Sequence, residues 1–202
     1  MRVPRILVLA AIACALTLPA AVSQAETGAP KPDLSAKPEA AKRASSLDDL
    51  YARLAAAKDE DEAKGVAGLI ERRLERSGSD TADLLYARAG EAMNGKDAAL
   101  AIELLDRVLQ LRPGWSDAWL RRATAFWSLK DTERALMDLE EALAREPRHF
   151  AAWTALGHLE MSAGDKPRAL AAYRRALKLH PFLADVEKAV KRLEPDVDGR
   201  DL

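Results

Sequence analysis

The chain has 202 residues, 31 of them basic and 32 acidic, for a formal net charge of −1, and 49% are apolar. That balance argues against nucleic acid or an anionic membrane surface as the main partner. One cysteine, Cys14, and three histidines, His149, His158 and His180, exclude a disulfide scaffold and offer little to a metal centre.

The first element reads as a leader. Arg2 and Arg5 precede an apolar run from Ile6 to Leu18, then Pro19, and Ser23-Gln24-Ala25 supplies a small-x-small cleavage site. This is the pattern of a secretory signal peptide over 1–25, cleaved after Ala25. The run falls short of the ~20 residues that a membrane span needs, although an uncleaved anchor is the rival reading. A lipid-modified Cys14 is a third, poorly served by Ala11-Ile12-Ala13 before it. Loss of Arg2 and Arg5 with the leader leaves 29 basic against 32 acidic residues, a net charge of −3, and no cysteine. Residues 26–46 carry Pro30, Pro32 and Pro38 among Ala, Lys and Ser, with almost no bulky apolar side chain, which predicts a disordered tether.

Residues 47–194 are predicted to form one all-helical domain. Pro113, Pro147 and Pro181 lie 34 residues apart, and other positions keep the same step. Ala67, Ala101, Ala135 and Ala169 share a slot; Ala55, Ala89, Ala123 and Gly157 share another. Such small residues let paired helices approach closely. Tyr51, Leu85, Trp119 and Trp153 share a slot of large side chains that fills the space between hairpins. Asp97, Asp131 and Asp165 each precede a helical run and are suited to cap it. Apolar residues between these markers recur with helical spacing, as in Leu136, Leu139, Ala142 and Leu143, and no useful β-alternation appears.

This pattern resembles the tetratricopeptide repeat. The match is fullest over 150–183, with Trp153, Leu156, Gly157, Gly164-Asp165, Ala169, Tyr173, Ala176 and Pro181. Residues 116–149 follow with Trp119, Ala123, Phe126, Asp131, Ala135, Ala142 and Pro147; residues 82–115 are weaker. Residues 48–81 keep Tyr51, Leu54, Ala55, Ala67 and Leu74 but have Ser79 in place of the proline, and read as a degenerate first hairpin capping the stack. Val186, Ala189, Val190 and Leu193 mark a C-terminal capping helix over 184–194, and 195–202 should be a flexible tail. The resemblance implies a right-handed superhelical stack of antiparallel helix hairpins, an α-solenoid. Together with the leader it suggests an exported protein of a Gram-negative bacterium, in the periplasm.

The residues supply no catalytic constellation. His149 and His180 sit in inter-repeat turns, where solvated polar residues are ordinary, and His158 is placed toward the groove. Asp59-Glu60-Asp61-Glu62 lacks the glycine and ligand spacing of a calcium loop. No cofactor, metal or enzymatic activity is expected. The resemblance places function in the concave face lined by the first helices: Tyr86 and Met93, then Asp117, Arg121, Thr124 and Trp127, then Thr154, His158 and Met161. Trp127 and Arg121 are the natural anchors, with packing on the neighbouring helix the rival reading of Trp127. Arg121 has two readings, a grip on a partner's carboxylate or a pair with Asp117, one turn back. A subset of the family grips carboxylate-terminated chaperone tails with basic side chains; the matching slots here hold Tyr86, Gly90, Arg121, Ala151 and Ala155, so that clamp is absent. The expected role is a protein–protein scaffold in the bacterial envelope binding a peptide or helix of a partner protein. The alternative is an inner-membrane-anchored accessory of an envelope assembly or maturation complex, with membrane contact only if the leader is retained.

Overall fold

The computed structural model describes residues 46–201. The expected signal peptide, the expected cleavage after Ala25, Cys14 and all of the expected tether but Ser46 lie outside them. Nine α-helices and no strand occur among the described residues: α1 Leu47–Ala55, α2 Glu60–Leu74, α3 Asp80–Asn94, α4 Ala98–Leu111, α5 Ser116–Ser128, α6 Thr132–Arg145, α7 Phe150–Ala163, α8 Lys166–Leu179 and α9 Ala184–Val197. None of them is long and apolar enough to cross a membrane.

Three hairpins, α3–α4, α5–α6 and α7–α8, pack pairwise and in order, with α9 against α8. The periodic residues serve as expected. Ala101, Ala135 and Ala169 have no exposed surface, and Ala89, Ala123 and Gly157 are buried opposite them. The three aspartates accept the backbone N–H of Leu100, Arg134 and Arg168, capping the second helix of each pair. Trp119 and Trp153 each donate an indole N–H to the carbonyl of the proline six residues earlier, at 2.8 and 2.9 Å. The tryptophan slot and the proline slot are therefore one device, which ties each first helix to the turn that precedes it.

Gly157 is required by its partner. A Cβ there would lie 2.9 Å from Cζ of Tyr173 and closer still to two other ring atoms, so only glycine lets that buried ring lie on α7. The turn inside each hairpin places Lys96, Lys130 and Gly164 at φ of 63°, 64° and 83°. Glycine accepts this left-handed backbone freely, whereas each lysine is strained there.

Arg122 adds a link that no repeat slot announces. Its guanidinium forms a fork on Asp138 of α6 at 2.8 and 2.7 Å and reaches Asp106 of α4 at 2.6 Å, so one side chain joins consecutive hairpins.

The first hairpin, α1–α2, is present but does not continue the stack. Its apolar core, Leu50, Tyr51, Leu54, Val66, Ile70 and Leu74, closes on Phe150, with Leu179 and Phe182 alongside. The turns make the difference. After α4, α6 and α8 the cap residue is extended, at φ −136°, −134° and −135°, and a proline follows. After α2 the cap Glu75 keeps φ −70° and the chain turns through Gly78 at φ 76°. Ala55, assigned to a small packing slot, is exposed because α1 is nine residues long and ends there.

The outer face of α3 is consequently uncovered. Ala118 and Ala152 are fully buried against the preceding hairpin, but Leu84 in the same slot is 54% exposed. Glu91 occupies the slot of the buried Ala125 and Leu159, which gives the end of the stack a polar surface.

At the other end, the expected tail 195–202 is a correction. Helix α9 continues through Pro195 to Val197, and a 3-10 turn follows over Asp198–Asp201. Lys166 pairs with Asp196 at 2.6 Å, Arg174 holds Glu194 at 2.8 Å and Asp198 as well, and Val197 packs on the α8–α9 core. These ties to α8 replace the backbone bond that proline removes.

Candidate functional site

The first helices of the first two repeats, together with α2, enclose a concavity of about 460 Å³. Tyr86, Gly90 and Met93 line it from α3, and Asp117, Leu120, Arg121 and Thr124 from α5; Glu71 of α2 and its cap residue Glu75 form a further wall. Five of the nine residues assigned to the groove thus converge: Tyr86, Met93, Asp117, Arg121 and Thr124.

Their geometry is fixed by mutual contacts. The Tyr86 hydroxyl donates to Asp117, whose second oxygen lies 3.2 Å from Nε2 of His149. The Arg121 guanidinium lies over the Tyr86 ring, 3.7 Å from its centroid, and 3.8 Å from Glu75. Of the two readings of Arg121, the structure favours an internal role, but with Tyr86 and Glu75 rather than Asp117, which Tyr86 and His149 already engage. Gly90 makes room for this arrangement, since a Cβ there would lie 2.7 Å from Nη1 of Arg121. Burial lowers the Arg121 pKa, while Asp117 and Glu75 oppose that shift. Across the concavity, desolvation and then the Glu75 and Asp117 carboxylates push the Glu71 carboxyl above its usual range. The lining is amphipathic and acidic on the α2 side.

The other four assigned residues lie further along the stack. Trp127 is half-buried against Ala123, Ala155 and Leu159, with its ring stacked on His158 at 6.5 Å. It packs on the neighbouring helix and does not reach the concavity. His158 is engaged as well, since its Nδ1 is 2.8 Å from the Tyr173 hydroxyl. The Thr154 hydroxyl donates to its own helix at Phe150, and Met161 packs against the α8–α9 core.

Two histidines require correction. His149 is 2% exposed and His180 6%, so neither is a solvated turn residue. His149 faces Asp117, while His180 lies edge-on to Phe150 at 5.2 Å and accepts the Phe182 N–H at 3.3 Å. Burial lowers the His180 pKa. The proline-rich turns suggested exposure; what covers them is the first hairpin, packed over the same edge of the stack. No repeat column pointed to Glu71, Glu75 or His149 as lining residues. Among the described residues no group of three or more His, Cys, Asp or Glu is arranged to hold a metal ion.

A sequence profile described as the tetratricopeptide repeat matches residues 120–184. A TPR repeat-containing protein of Rhizobium etli is 30% identical over 153 residues, 76% of this chain and 75% of the relative. Among solved structures, the first TPR domain of Spaghetti (RPAP3), bound to the HSP90 peptide SRMEEVD, superposes with a TM-score of 0.56 at 19% identity, covering 59% of this chain and 95% of that one. The Yersinia enterocolitica type III secretion chaperone SycD, in complex with a peptide of the translocator YopD, gives 0.56 at 13% identity, covering 58% and 95%. With its periodic alanines, capping aspartates and Trp–Pro ties in place, and a relative matched over three quarters of both lengths, the chain belongs to the tetratricopeptide repeat family, whose stacked hairpins serve as protein–protein interaction scaffolds.

Proposed function

We propose that this chain is an exported bacterial interaction module that holds a peptide or short helix of a partner protein in the concavity between α2, α3 and α5. The observation that carries the reading is the convergence of Tyr86, Met93, Arg121 and Thr124 with the α2 carboxylates around one amphipathic hollow. The folds it resembles include domains that hold peptides, and a relative at 30% identity comes from the bacterium Rhizobium etli. Export rests on the leader, with the periplasm as destination. Repeats of this kind generally build adaptors rather than enzymes.

The test is an affinity pull-down from a periplasmic extract with the mature chain and its Met93→Asp/Arg121→Ala variant. A partner retained by the first and lost from the second supports the reading. Equal retention places the interface elsewhere. Terminal sequencing of the exported protein should begin at Glu26; an intact Met1 terminus would favour the membrane-anchored accessory instead.

A further inference from the structure

We propose that the edge of the stack formed by Arg148, Phe150, Leu179 and Phe182 is a docking site for a short amphipathic helix of a partner protein, and that α1 occupies it as an internal stand-in. The inference rests on the reading of the chain as a binding module, and adds a second surface, the chemistry it selects and the means by which it is covered.

The occupant itself shows what the surface fits. Asp48 and Tyr51, three residues apart, share one face of α1. Asp48 pairs with Arg148 at 2.6 Å, and the same guanidinium lies 4.6 Å from the Tyr51 ring centroid. Arg148 is itself steered by Glu146 at 3.0 Å, so it is held ready for an acidic-aromatic pair. Leu47 and Leu54 of α1 belong to the core that closes on Phe150, Leu179 and Phe182. A partner helix with a leucine and then an acidic residue in its first turn, an aromatic three positions after the acid and leucine three further reproduces these contacts.

The α1 contact also has the marks of one that opens. A nine-residue helix is unstable alone, so α1 is ordered by what it touches. Buried within the contact, the Tyr51 hydroxyl finds no hydrogen-bond partner in the protein, which weakens the hold of α1. The hairpin is joined to the stack through the short turn containing Gly78 at φ 76°, and it leaves the α3 face bare instead of stacking there. Its position is set by the docking surface together with the Trp115 indole N–H, which donates to the Leu74 carbonyl at 2.6 Å, and not by continuation of the repeat stacking. The charges complement in one sense only: Arg148 receives an acidic helix, and a basic helix would face repulsion.

The experiment uses the full mature chain and a fluorescein-labelled synthetic peptide of residues 46–57. In the wild type, the tethered α1 competes at high effective concentration. In Tyr51→Ala/Leu54→Ala it competes poorly, so fluorescence anisotropy should show the peptide binding that variant about tenfold more tightly or better. Arg148→Glu added to the variant should abolish binding, and a peptide with Asp48→Arg should restore it. Equal binding to wild type and variant, or no charge-swap rescue, would overturn the proposal. If the double variant loses the helicity of the repeats, Asp48→Arg in the full chain replaces it, with about a threefold gain expected. A variant that dimerises by exchanging hairpins, seen by light scattering, would assign the surface to a second copy and overturn the partner clause. The pull-down and the peptide assay fail separately. Loss of groove dependence leaves peptide binding intact, and absence of peptide binding leaves the groove result standing.

Discussion

The three repeats and the first hairpin begin from similar sequence and end in different relations to the rest of the molecule. Both carry a large residue, small residues and leucines in one register: Tyr51, Ala67 and Leu74 correspond to Trp119, Ala135 and Ala142. In the repeats the extended cap and the following proline return the chain along the stack, and the indole bond to the proline carbonyl fixes that return. The first hairpin has Gly78 and Ser79 there, and folds over the edge instead. The core slots specify a hairpin, while a few turn residues decide what the hairpin packs against.

If that is right, substitutions within the stack should unfold the domain as a whole, whereas substitutions in α1 should loosen only the hairpin. Arg122→Met should cause the largest loss, about 3 kcal/mol, because it strands Asp138, whose side chain is only 6% exposed. Chemical denaturation of single and double variants in a cycle with Asp138→Ala reads the coupling. Gly157→Ala should cost about 2 kcal/mol by driving a Cβ into the buried Tyr173 ring; the equivalent residue Ala123 already tolerates its methyl. Tyr51→Ala should leave the melting of the repeats nearly unchanged while hydrogen exchange across 47–74 accelerates, and a matching fall in the main transition would place the hairpin in the common cooperative unit.

Acidification should act more gently. Burial holds His180 below its ordinary value of 6.5, so the unfolded chain takes up that proton first as the pH falls. The stability contributed by neutral His180 is present above pH 6.5 and is lost below it. Melting temperatures from pH 7 to 5 should decline less steeply in His180→Leu than in the wild type. The smallest effect is a gain: Lys130→Gly relieves a left-handed lysine at φ 64° and should stabilise by about 0.5 kcal/mol, partly offset by the added freedom of the unfolded chain. Gly164→Ala, in the same slot of the next repeat, should do the reverse.

The stack was legible because its constraints recur. Small residues at Ala89, Ala123 and Gly157, aspartates at helix starts and prolines after helix ends each express a steric or hydrogen-bonding need met three times in one register. Half of the concavity was legible for the same reason, since Tyr86, Asp117 and Arg121 follow from the repeat. The remainder was not, because it depends on contacts made once. Glu71 and Glu75 reach the hollow only through the placement of α2, and burial of His149 and His180 depends on a hairpin that the period would have set at the end of the stack. Trp127 looked surplus to the core, but its slot meets Ala155 and Leu159 across the helix interface, and small neighbours give a large ring somewhere to lie. The tail looked unstructured because proline and aspartates dominate it, yet those aspartates are the anchors that hold it to α8.

The ion pair between Asp48 and Arg148 spans 100 positions of sequence. A solenoid is ordinarily a line in which each unit senses only its neighbours, so its ends melt and refold independently. Joining the start of the domain to the turn that enters its third repeat closes the line into a loop. Closing so long a loop is slow and entropically costly, so the contact should form last in folding and open first under load. While it holds, a disturbance in the last repeat has a direct route to the first helix, without passing through the repeats between them.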